Sequence, residues 1–155
     1  MTKELSSIEI SSPTHNLIKM SIVVKNRNGE FCFSLNNINQ KGFEHLFIEY
    51  EFLLKIEGFE TRQVLQAEVY DLQDLLKGFT YLHENLKGTF FFEPMINSQV
   101  KIKFEMTDQG NIIIDGQVSN PLHSTKLSFR FGSDQTFLPD LISQCKMTIN
   151  SLKES

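Results

Sequence analysis

Apolar and polar residues alternate along most of this chain, the pattern of strands with one buried face. Ile8 and Ile10 flank Glu9 in a short first strand, and S-S-P-T-H-N (Ser11 to Asn16) ends it with turn chemistry. Ile18, Met20, Ile22 and Val24 share the next face, opposite Lys19, Ser21 and Lys25. N-R-N-G (Asn26 to Gly29) then predicts a tight hairpin, with Asn28-Gly29 suited to a type I′ turn. Phe31, Phe33 and Leu35 carry the returning strand. The clearest alternation follows. Ile48, Tyr50, Phe52, Leu54 and Ile56 fall on one face, with Glu49, Glu51, Leu53, Lys55 and Glu57 on the other. Gly58 turns the chain into a strand over Arg62–Tyr70, less cleanly patterned because Val64 interrupts its polar face.

The period then changes. Leu72, Leu75, Leu76, Phe79, Leu82 and Leu86 follow helical spacing, with Asp71 placed as N-cap and Gly88 as terminator. Alternation resumes at Thr89–Glu93, where Pro94 marks an edge strand. It continues through Val100–Met106, Ile112–Val118 and Leu127–Phe131, separated by D-Q-G-N (Asp108 to Asn111) and S-N-P (Ser119 to Pro121). Leu138, Leu141, Ile142, Cys145, Ile149 and Leu152 then line one side of a last helix. No internal repeat or linker divides the sequence.

Short turns join antiparallel neighbours, because parallel crossovers need about a dozen residues or more. The expected architecture is therefore α+β in one globular domain spanning residues 1–155. A curved antiparallel sheet of about seven to nine strands would hold two helices, at about residues 71–87 and 136–152, packed on one face. The opposite face would carry Glu49, Glu51, Lys55, Glu57, Lys101, Lys103 and Glu105.

Composition refines this picture. At 155 residues with 40% hydrophobic and 22% charged, the chain can bury a real core without staples. Its aromatics are 14 Phe, 3 Tyr and no Trp; Phe fills a core without needing a hydrogen-bond partner. The net charge of −4 argues against nucleic acid or an anionic membrane as partner and leaves room for a basic protein. Cys32 and Cys145 lie far apart outside any framework, as buried thiols of a reducing cytosol do. The opening M-T-K-E-L-S-S-I-E-I lacks the apolar run of a secretory signal, and no stretch reaches a membrane span, so a cytoplasmic location is expected.

Catalytic chemistry is not legible. There is no nucleophile elbow and no Gly-rich phosphate loop. His15, His45, His83 and His123 stand alone, without partners at metal-ligand spacing, so neither metal nor cofactor is expected. Glu57 and Glu60 bracket a Gly58-Phe59 turn, where solvation explains them better than acid–base chemistry. Lys101 and Lys103 share a face with Glu105, without the aromatic–basic interleaving of single-strand binders. Many phenylalanines do leave room for a second class, a small hydrophobic-ligand carrier or sensor with a Phe-lined pocket between sheet and helix.

S-D-Q-T-F-L-P-D-L-I-S-Q-C (Ser133 to Cys145), following the F-R-F strand of Phe129 to Phe131, resembles the C-terminal signature of the WapI-type immunity proteins. Phe92-Glu93-Pro94 and the order of elements are similar as well. The resemblance implies stoichiometric inhibition, not turnover: binding, in the cytoplasm, of the toxic C-terminal domain of a wall-associated, contact-dependent toxin. Such toxins are often nucleases with basic sites, which an acidic inhibitor can occlude. Glu49, Glu51 and Glu57, on one side of the longest strand, are the partner-binding candidates. Gly132, Asp134, Gln135 and Thr136 read instead as a strand-to-helix joint. In that joint Gly132 permits a sharp exit, Thr136 caps the helix and Pro139 sits in its first turn.

Overall fold

The computed structural model describes residues 20–41, 46–96, 98–120, 122 and 124–153. The expected strand at Ile8–Ile10, its turn at Ser11–Asn16 and position Ile18 lie outside them. Four strands come first: β1 (Ile22–Lys25), β2 (Phe31–Lys41), β3 (Phe47–Ile56) and β4 (Phe59–Glu68). Helix α1 (Val69–Asn85) follows, then β5 (Gly88–Phe92), β6 (Val100–Met106), β7 (Asn111–Asn120) and β8 (Thr125–Asp134). A 3-10 turn at Gln135–Phe137 leads directly into α2 (Leu138–Lys153).

The strands form two four-stranded antiparallel meanders, β1-β2-β3-β4 and β5-β6-β7-β8. The α+β class with two helices stands, but the single sheet of seven to nine strands does not. The chain leaves β4 for a helix of 17 residues, and β5 starts a new sheet instead of rejoining the old one. Local turn signals set each hairpin but cannot say whether strands on either side of a helix pair. The two halves also repeat one order, four strands and a helix, without any repeat of residues.

Both helices and the inner faces of both sheets meet in one buried cluster. In β3, Ile48, Tyr50, Phe52 and Leu54 are buried, as the alternation predicts. Phe33 joins the halves: its ring lies 5.6 Å from Phe52, 6.5 Å from Phe104 and 6.0 Å from Phe129. Phe90 stacks on Phe104 at 4.7 Å and meets Phe79 of α1 edge-on at 5.3 Å. Pro94 follows β5, which is indeed an outer strand.

Several boundaries move for identifiable reasons. The N-cap of α1 is Glu68, and Asp71 sits three residues in, accepting a hydrogen bond from the Glu68 N–H at 2.8 Å. That reciprocal arrangement begins the helix at Val69, inside the stretch expected to be strand. The helix ends at Leu86, whose left-handed φ of 54° lets its N–H bond the Leu82 carbonyl at 2.9 Å. Gly88 instead opens β5, where the Tyr81 ring lies 2.7 Å from the place a Cβ would take. At the first hairpin, Asn26 Oδ1 accepts from the N–H groups of Asn28 and Glu30. Only Gly29 there has positive φ, so the turn is not type I′, and the register slips at Val24/Lys25.

Candidate partner-binding surface

The outer face of the first sheet is built by the odd positions of β3 and the even positions of β4. Cross-strand partners are Glu49 with Gln66, Glu51 with Val64, Leu53 with Arg62 and Lys55 with Glu60. Glu49 and Glu51 therefore do share a face, but neither stands alone. Lys41 Nζ lies 3.6 Å from Glu49 Oε1, and Arg62 Nη1 donates to Glu51 Oε1 at 2.8 Å. Pairing at this range cancels most of the field each carboxylate presents to an approaching partner.

Glu57 differs. It occupies the β3–β4 turn with φ of 43°, followed by Gly58 at 86°, closing a two-residue loop between Ile56 and Phe59. Positive φ at both positions makes this the tight hairpin turn, which favours Asn-Gly. A glutamate there costs about 1–2 kcal/mol relative to its preferred backbone. Beside it project Phe59, 63% exposed, and Glu60. Among the described residues neither Glu57 nor Glu60 has an ion-pair partner. The tip is thus acidic, partly apolar and held out from the sheet. The Glu57/Glu60 pair was legible in the sequence; its separation from the neutralised Glu49 and Glu51 was not.

The outer face of the second sheet carries an open trough of about 480 Å³ lined by Phe91, Lys101, Lys103, Asp115 and Arg130. Each cation has a carboxylate within 4 Å: Glu93 for Lys101, Glu105 for Lys103 and Asp115 for Arg130. These pairings partly offset the positive charge that Lys101, Lys103 and Arg130 present on this face. A second cleft, of about 470 Å³, runs between the edge of β4 and the ends of β7 and β8. Nothing in the linear pattern announces it, because its walls, residues 59–63 and 118–127, lie far apart in sequence and belong to different sheets.

The joint before α2 works otherwise than the spacing predicts. Gly132 lies within β8, which runs on to Asp134. Its lack of a side chain admits Arg27, whose guanidinium nitrogen sits 2.6 Å from the missing Cβ, while the Arg27 N–H bonds the Gly132 carbonyl at 2.8 Å. Asp134 is the cap: its carboxylate accepts from the Thr136 hydroxyl at 2.6 Å and the Thr136 N–H at 3.2 Å. Those bonds, the hydroxyl's first, hold the Asp134 carboxyl below the usual carboxylate range. Thr136 is thus a donor to the cap and not the cap itself. Gln135 docks on the β6–β7 turn, its N–H bonded to the Gly110 carbonyl at 3.2 Å.

Burial governs the titration of three interior groups. Burial pushes the Cys32 thiol up to about 11 and the Cys145 thiol up to about 12, away from the reactive thiolate. Burial likewise raises Tyr50, with the Asp71 carboxylate adding to it. A void between α1 and the inner sheet faces, lined by Phe33, Phe79, Phe92 and Phe104 among others, measures about 10 Å³. That is room for at most one water, far below the roughly 300–1,000 Å³ of small-molecule sites. Among the described residues, no helix is long and apolar enough to cross a membrane.

The fold is similar to that of solved structures of distant sequence. The plant transcriptional regulator PBF-2 matches with a TM-score of 0.50 at 14% identity, over 88% of this chain and 82% of that one. WHY1 from Arabidopsis thaliana matches with a TM-score of 0.48 at 15% identity, over 87% of this chain and 84% of that one. Likeness at such identity defines an architecture and no activity. No curated protein matches the chain by sequence. The family pattern is decisive: the Immunity protein WapI-like family matches residues 25–153, from the end of β1 through α2. The chain belongs to that family.

Proposed function

We propose that this protein is a cytoplasmic immunity protein that binds the C-terminal domain of a contact-dependent toxin and neutralises it by stoichiometric occlusion. The partner is a basic protein domain, of which a nuclease is the expected kind, and no catalytic turnover by this chain is involved. Contact is made through the β3–β4 hairpin and the adjoining outer face, with Glu57 foremost and Glu49 and Glu51 behind it. The observation that carries this reading is the tip: an acidic pair with no ion-pair partner among the described residues, flanking an exposed Phe59, with Glu57 standing where the backbone favours Asn or Gly. Charge complementarity of this kind chiefly accelerates association and selects the partner.

The test uses a cognate toxin C-terminal domain, the first candidate being any encoded immediately upstream of this chain. Reversing charge at Glu49, Glu51 and Glu57 to lysine should slow capture of that domain by about tenfold or more at low salt. Glu57→Lys alone should account for most of the loss, since Glu49 and Glu51 are already paired. An association rate unchanged at low salt sinks the assignment of this surface. The carrier reading is not favoured, because a void of about 10 Å³ cannot seat a hydrophobic ligand without opening the core.

A further inference from the structure

Among the described residues β4 pairs on one side only, with β3. Soluble proteins blunt such edges with proline, lysine, a bulge, an inward charge or short length. β4 has no proline, lysine, bulge or inward charge and is not short; its only charges, Glu60, Arg62 and Glu68, stand on the outward face, with Arg62 held by Glu51. It runs ten residues, F-E-T-R-Q-V-L-Q-A-E, in unbroken register from Phe47/Glu68 to Ile56/Phe59. Its inward positions, Phe59, Thr61, Gln63, Leu65 and Ala67, are all uncharged. Val64 stands 65% exposed at its middle.

The other outer strands are protected. The Val23 N–H of β1 is capped by the Gln144 side chain of α2 at 2.7 Å. β5 packs against α1 and is stopped by Pro94, and β8 carries Lys126 and Arg130. Beside the bare edge lies the 470 Å³ cleft, with Phe59, Glu60 and Thr61 on the β4 side and Val118, Lys126 and Leu127 opposite.

We infer that this edge pairs with β4 of a second copy of the chain, antiparallel across a two-fold axis, each Phe59 seated against the half-buried Leu127 of the other copy. A two-fold interface must be self-complementary, and this cleft is: it offers Glu60 on one wall and Lys126 on the other, with an apolar knob and an apolar wall. Arg62 is already engaged by Glu51. A basic toxin would call for a net acidic cleft, so the charge balance favours the copy over the toxin. The interface shares Phe59 and Glu60 with the hairpin tip but not Glu57, and it does not depend on the immunity reading.

Sedimentation velocity on the full chain, loaded from about 1 to about 500 μM, reads this directly by mass action. The wild-type chain should sediment as a dimer in the upper part of that range. Val64→Lys puts the natural guard of an edge strand at an exposed site, so the fold should survive, checked by its circular dichroism melt. That variant should weaken dimerisation at least about tenfold. Glu60→Lys and Lys126→Glu should each weaken it, and the double variant should recover it. A wild-type chain monomeric throughout overturns the inference. So does a dimer that Val64→Lys leaves as tight, or a charge swap that fails to restore pairing.

Discussion

At Gly78, in the middle of α1, a Cβ would lie 2.3 Å from the ring of Phe90. That ring cannot step aside, being stacked on Phe104 and braced edge-on by Phe79. Two opposed effects meet here. Alanine in a helix interior gains about 1 kcal/mol over glycine, while overpacking a filled core costs typically about 1–3 kcal/mol. The clash should win: Gly78→Ala is expected to lower stability by about 1 kcal/mol or more in urea unfolding, where propensity alone predicts a gain. The same logic holds at Gly116, under the Phe129 ring. Both glycines look unremarkable in sequence, for their need arises from a ring brought in by another strand.

At the scale of elements, the start of α2 separates two candidate caps. Asp134 accepts both Thr136 hydrogen bonds, so Asp134→Ala should cost about 1 kcal/mol, and Thr136→Val, which spares the backbone bond, distinctly less. The pH dependence follows from the depressed Asp134 carboxyl. A group bound less tightly by protons in the folded state lends stability above its unfolded pKa, and that stability is lost as pH falls through the folded value. The acid limb of a pH–stability profile should therefore shrink in Asp134→Ala. Spacing points to Thr136 because it precedes the apolar run; an intervening 3-10 turn places the cap two residues earlier. The same displacement occurs at α1, where Asp71 serves from within the first turn as partner to Glu68.

At the scale of the whole molecule, Phe33 holds the halves together, touching rings of β3, β6 and β8. Phe33→Ala should cost about 3–5 kcal/mol. Because both sheets lean on this ring, the loss should appear as one lowered transition, with far-UV and near-UV signals still coincident; two separated transitions would show the halves folding independently.

Side-chain order along the chain determined a great deal: the buried face of β3, the hairpins, the two amphipathic helices, and the acidic turn at Glu57. These are local matters, fixed by which neighbours two, three or four residues away share a face. The family signature before α2 was legible for the same reason, as contiguous residues. Only the tertiary structure decided that the strands divide into two sheets, that β4 pairs on one side only among the described residues, and that Lys41 and Arg62 neutralise Glu49 and Glu51. Each of those depends on which distant segments meet, a choice set by the packing of both helices and both sheets around Phe33 and not by any one strand's pattern.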